Sequence, residues 1–243
     1  DDPFRRSGLV SRLVRLANRQ LDHFLVISDH LRAFTVNVEG VPRDQVTTVR
    51  YGMQSSDMDV VPDIRRIFHL GSGLVVACVA RLMPQKGHRV LLAAFRSVVR
   101  IYPDAQLLLL GDGPLRTELE QLTRNLRLEN NVCFAGWRTD ASDLLYGADI
   151  FVLPSLWEGF GLVLLEAMAA ALPIVAAHVG PIPEIVLHDK TGLLVQADTE
   201  DALARAILRL LASPEERSRF GREGRYRLGT EFSMDRMLAA TED

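Results

Sequence analysis

Two rhythms of apolar residues alternate along most of the chain. Near-continuous aliphatic runs recur at 73–80, 105–110, 131–135, 149–153, 173–177 and 192–195. Runs of this length without polar alternation read as strands covered on both faces, the habit of parallel sheets. Between them the apolar positions shift to helical spacing. From His88 to about Tyr102, the residues Val90, Leu91, Ala94, Phe95 and Val98 form one face. Further helices are predicted from Pro114, which suits a first turn, and over 140–147, 162–172, 199–212 and 214–228. The alternation predicts an α/β fold with one doubly wound, Rossmann-like, six-stranded parallel sheet.

Ahead of this sheet, 23–28 and 46–52 read as two more strands, with a helix over 29–38 capped by Ser28 or Asp29. Residues 57–66, with Pro62, read as a loop or linker. The first twenty residues place Leu9, Val10, Leu13 and Leu16 at helical spacing among Arg5, Arg6, Arg12, Arg15 and Arg19. Such a helix is either a surface element with a solvated basic face or a contact for an anionic membrane surface.

The rest of the chain is organised around Pro154–Pro173, PSLWEGFGLVLLEAMAAALP. Gly159 and Gly161 bracket Phe160, so the backbone there can turn tightly and approach a ligand. Leu162–Leu172 is strongly helix-forming and apolar, and Pro173 stops it. Glu158 precedes the turn. Glu166 lies inside the helix between Leu164, Leu165, Ala167 and Met168. A carboxylate there is costly unless something donates to it. The helix start offers unpaired N–H groups to an anion.

Composition narrows the classes. The chain has 243 residues, 48% hydrophobic, with a formal net charge of −3. This is enough for a substantial core and argues against a generic nucleic-acid binder. Cys78 and Cys133 lie in strand-like runs and read as buried thiols rather than a disulfide, which suits a reducing compartment. No apolar run approaches the ~20 residues that span a bilayer, and no signal-peptide h-region is found. The six histidines are scattered without metal-ligand spacing, so no structural metal is expected.

The run EGFGLVLLEAMAAALPIVA, with Glu158 and Glu166 in E-x7-E spacing, resembles the signature of GT-B retaining glycosyltransferases of family 4. Other segments support the resemblance. ARLMPQKG resembles the family's GRLxxxKG element, with Ala80 in place of glycine. GDGP (111–114) resembles its turn near the nucleotide, although Arg116 stands where a dinucleotide fingerprint would need a third glycine. GPIPE resembles GGxPE, with Pro181 in place of the second glycine. The resemblance implies the C-terminal, donor-binding lobe of a GT-B fold over 61–228. It also implies the end of an acceptor lobe and linker over 1–60, and a helix returning to that lobe over 229–243.

It further implies transfer of a sugar, hexosyl in type, from a nucleoside-diphosphate sugar to an unknown sugar, lipid or small-molecule acceptor, with no metal or other cofactor. Arg81 and Lys86 would hold the diphosphate. Glu158, Gly159, Phe160, Gly161 and Leu162 would address the sugar and distal phosphate. Glu166 would hold the ribose, while Trp137 and Arg138 would contact the base. The expected place is the cytoplasm, at the inner face of the membrane if the basic helix docks there. Two alternatives stand beside a truncated enzyme. One is a non-catalytic nucleotide-sugar-binding or assembly module whose partner chain supplies the missing lobe. The other is a nucleotide-sugar epimerase or similar Rossmann-type enzyme, disfavoured by the lack of a third glycine and of a Tyr-x-x-x-Lys pair.

Overall fold

The computed structural model describes residues 14, 16–18, 20–54, 58 and 60–242. The chain forms two compact units: one from the described residues of Asp1–Gly52 with those of Met234–Asp243, the other from Met53–Ser233.

In the smaller unit, β1 (Phe24–Val26) leads into α1 (Asp29–Asn37) and β2 (Val46–Thr48) returns parallel to β1. Ser28 caps α1, its hydroxyl accepting from the Leu31 amide at 3.1 Å. Both strands are three residues long, shorter than the runs 23–28 and 46–52 predict. Most of the basic segment over 1–20 lies outside the described residues.

The larger unit opens with α2 (Ile64–Phe68), where the sequence predicts only a loop. Asp63 caps it, accepting from the Arg66 amide. The chain then runs β3 (Val75–Val79), α3 (His88–Val99), β4 (Gln106–Leu110), α4 (Arg116–Leu126), β5 (Val132–Gly136), α5 (Ala141–Leu144), β6 (Ile150–Leu153), α6 (Leu162–Ala169), β7 (Ile174–Ala177), α7 (Ile182–Ile185), β8 (Gly192–Val195), α8 (Glu200–Ala212) and α9 (Pro214–Glu231). The last helix, α10 (Met234–Glu242), belongs to the smaller unit. Instead of one helix over 229–243, α9 continues to Glu231 and α10 starts afresh after Phe232–Ser233.

The six strands form one parallel sheet in the order β5-β4-β3-β6-β7-β8, as the aliphatic runs predict. Its residues alternate between two cores, as a strand's period of two requires. Val76, Cys78, Leu107, Leu109, Ile150 and Val152 pack with α3 and α8. Val75, Leu108 and Leu110 pack on the other face with Ile64 of α2 and Leu144 of α5. Burial on both faces explains why these strands carry no polar alternation.

Helix α6 ends at Ala169, three residues before the predicted end. Ala171 turns left-handed (φ 53°), and the Leu172 amide reaches back to the Ala167 carbonyl at 2.9 Å. Gly221 of α9 makes room for this turn, since a Cβ there would sit 1.9 Å from the Ala171 carbonyl oxygen. Helix α4 starts at Arg116 rather than at Pro114, because the Leu115 amide is drawn to the Leu82 carbonyl. Cys78 is a buried free thiol pushed up to about 12 by burial, and Cys133 is a half-buried one.

Candidate active site at the switch of the sheet

From β3 the chain winds outward through β4 to β5, then returns to the middle and winds the other way through β6, β7 and β8. The winding reverses between β3 and β6. In open α/β sheets the crevice beyond the carboxyl ends of the two strands flanking such a reversal is where ligands bind. Here those strands lead into the two loops that carry Arg81 with Lys86 and Glu158 with its glycines.

Glycine lets the two loops interlock. Gly87 is left-handed (φ 69°), and a Cβ on it would lie 2.1 Å from the Pro154 carbonyl oxygen. The Leu156 amide donates to the Gln85 carbonyl at 2.8 Å, and Gln85 Nε2 donates to the Trp157 carbonyl at 3.3 Å. The loop after β4 nests beneath: Leu82 donates to the Asp112 carbonyl, and a Cβ on Gly111 would strike the Ala80 carbonyl oxygen at 2.1 Å. The Gly-Asp-Gly-Pro turn thus supports the Arg81 loop from below.

This framework brings Lys86 to Glu158. Its ammonium donates to Glu158 Oε1 at 2.5 Å, across 72 positions of sequence. The Ser155 hydroxyl donates to the same oxygen at 2.7 Å. Glu158 is 6% exposed and Ser155 is fully buried. Beside them His88, the first residue of α3, is buried with Nδ1 unpartnered. Burial, and then the Lys86 charge, push its imidazole down to about 4, so it is neutral near pH 7. Arg81, two residues beyond β3, is exposed and has no partner among the described residues.

The glycine turn divides as its residues differ. No heavy atom lies within 4 Å of where a Cβ on Gly159 would be, so the backbone there faces open space. Phe160 is buried and meets Phe232 edge to face, with ring centroids 6.4 Å apart. Gly161 is left-handed (φ 93°) and starts α6, whose first residue, Leu162, is exposed. Helix α6 buries Leu164, Leu165, Ala167, Met168 and Ala169. Glu166 is half-buried on this helix, has no partner among the described residues, and is raised above its ordinary value by burial alone.

Two sequence candidates lie further along the edge. Trp137 follows the left-handed Gly136 at the end of β5 and is 73% exposed, so it is no core aromatic. Arg138 pairs with Asp140 through two bonds of 2.6 and 2.7 Å and stacks over Phe68. Any base contact by Arg138 would compete with that pair. Glu184 sits on α7, where its backbone carbonyl accepts from Arg227 at 2.7 Å. The sequence reading missed Ser155, Gln85 and His88. Ser155 had a legible signal, because Ser-x-x-Glu puts a hydroxyl three residues before a carboxylate, as in a capping box, though here in a loop.

A doubly wound parallel sheet with a cation–carboxylate pair at its reversal defines a Rossmann-like lobe, and this lobe matches GT-B glycosyltransferase structures. The structure of Anabaena HepE in complex with UDP superposes with a TM-score of 0.88 at 24% identity, covering 99% of this chain and 67% of HepE. The family described as "Glycosyl transferases group 1" matches residues 62–227, and the chain belongs to it. A GDP-mannose-dependent alpha-(1-6)-phosphatidylinositol monomannoside mannosyltransferase of Mycobacterium tuberculosis is 33% identical over 190 residues, which are 74% of this chain and 49% of the relative. An alpha-maltose-1-phosphate synthase of Mycolicibacterium smegmatis is 33% identical over 242 residues, 90% of this chain and 61% of the relative. The chain therefore spans about half to three-fifths of the length of these curated relatives.

Proposed function

We propose that this chain is the donor-binding half of a retaining glycosyltransferase of family 4, acting on a nucleoside-diphosphate sugar. The observation that carries the reading is Lys86 seated on Glu158 at the reversal of the sheet, with Arg81 unpartnered on the same loop. The GDP-mannose dependence named for the mycobacterial relative supports a nucleoside-diphosphate sugar as donor.

In this reading Arg81 grips the diphosphate with its planar fork, and Lys86 adds a point charge. Together they neutralise the charge that develops on the leaving diphosphate. The amides of Gly159, Phe160 and Gly161, ahead of Leu162, address the sugar and distal phosphate. Glu158 takes a sugar hydroxyl and stabilises positive charge at the anomeric carbon. Glu166, half-buried and unpartnered, takes the ribose hydroxyls, whose donation offsets the cost of its burial. Trp137 stacks on the base. No metal enters this scheme, so binding should persist in EDTA.

Calorimetric titration with UDP, GDP and ADP tests the reading. One of them should bind the folded chain; no binding by any would remove it. A second reading keeps the site but makes the chain a binding or assembly module with a separate acceptor lobe. The exposure of Leu21, Leu25 and Val38 on the smaller unit favours it. Co-purification of a second chain that restores sugar transfer would establish that reading, and transfer by a single longer chain would exclude it. Among the described residues no helix is long and apolar enough to cross a membrane. Contact of the basic segment with anionic lipid remains a proposal, testable by vesicle sedimentation.

A further inference from the structure

Glu158 presents two carboxylate oxygens in very different states. Oε1 takes both donors, the Lys86 ammonium at 2.5 Å and the Ser155 hydroxyl at 2.7 Å. Oε2 accepts nothing from the described residues, although the residue is 6% exposed. A carboxylate has acceptor sites on each oxygen, and Oε2, which is not among the sealed side-chain atoms that lack a partner, stays open to water or to a ligand. The backbone of Glu158 is meanwhile held from two sides. Gln85 grips the chain at Leu156 and Trp157, and the 178–181 loop presses so close that a Cβ on Gly180 would lie 2.8 Å from the Glu158 carbonyl oxygen. Its remaining freedom is rotation of the side chain.

Lys86 alone does not remove that freedom. An ammonium on a flexible stem can follow either oxygen as the carboxylate turns. The Ser155 hydroxyl cannot, because it is fully buried on a short side chain three residues away in the same held loop. A hydroxyl can donate only one proton, and here it goes to Oε1.

We propose that Ser155 is a positioning residue: by fixing Oε1 it turns Oε2 of Glu158 toward the open space at Gly159, where it selects the sugar part of the donor over the bare nucleoside diphosphate. This rests on the proposed donor site and deepens it. The diphosphate itself would rest on Arg81 and Lys86, which Ser155 does not touch.

The test is paired titration of the whole chain with UDP and UDP-glucose and with GDP and GDP-mannose, in wild type, S155A and S155T, with thermal melts confirming the fold. S155A should bind the bare diphosphate within about twofold of wild type while its preference for the sugar nucleotide falls about tenfold, the usual scale of a hydrogen bond to a charged group. S155T, which keeps the hydroxyl, should restore most of that preference. If S155A fails to fold, S155C keeps the volume, weakens the donor and should show the same split. Equal loss for both ligands, an unchanged ratio, or a wild type indifferent to the sugar would each overturn the positioning role while leaving nucleotide binding intact. Wild type that binds no nucleotide at all would overturn the donor site and this inference with it.

Discussion

Glu158, in the loop after β6, is nearly buried and holds an ammonium and a hydroxyl on one oxygen; Glu166, eight residues on and inside α6, is half-buried and holds nothing. One carboxylate is anchored in the protein through one of its oxygens, and the other has no donor among the described residues. A buried charge that is paired and hydrogen-bonded costs little to keep, and removing its partner costs much. An unpaired carboxylate on an apolar helix lowers stability for as long as it stays ionised. In the proposed site the first is therefore held in a fixed position by the protein, and the second is the carboxylate whose donors the ligand would supply.

The largest effect should come from the joint that brings Lys86 to Glu158. G87A forces a Cβ into a left-handed residue 2.1 Å from the Pro154 carbonyl oxygen. It should cost about 4 kcal/mol in urea denaturation and abolish nucleotide binding. E158A leaves Lys86 beside an empty buried position and should cost about 3 kcal/mol. The double variant E158A/K86M should recover more than 1 kcal/mol of that, about the coupling expected of a contacting pair. Additive losses would break the contrast with Glu166.

Removing the exposed ring in W137A should leave the melting temperature unchanged and weaken nucleotide binding about tenfold, as loss of one stacked base would. The smallest effect is on stability at Glu166 and depends on pH. Its folded carboxyl titrates above the ordinary 4.5, so the stability it contributes is full below that value and is lost as pH rises through the folded value. E166Q should match wild type at pH 4 and exceed its stability at pH 7, while binding nucleotide less well. A variant less stable than wild type at pH 7 would mean that Glu166 has a partner after all.

Much of the fold was legible because both faces of the sheet are buried, so that β3, β4 and β6 announce themselves as unbroken aliphatic runs. With the β–α alternation, Arg81, Lys86 and Glu158 all fall in loops that follow strands, and so on the carboxyl edge of the sheet. Short elements were harder to read. Helix α2 depends on an Asp63 cap inside a polar, proline-bearing stretch, and the early end of α6 depends on Gly221, fifty positions away. The pairing within the site was not legible at all. Spacing says that a cation and a carboxylate share an edge, not that Lys86 pairs with Glu158 while Arg81 stays free and Arg138 is taken by Asp140.

The most direct measurement is a pH titration of the glutamate side-chain carboxyls by NMR, with and without a saturating nucleoside diphosphate, Glu166 being assigned through E166Q. Hydrogen bonds donated by the ribose favour the ionised form, so the account predicts that the raised Glu166 value falls when nucleotide binds. A Glu166 carboxyl that titrates identically in the free and saturated protein would contradict it.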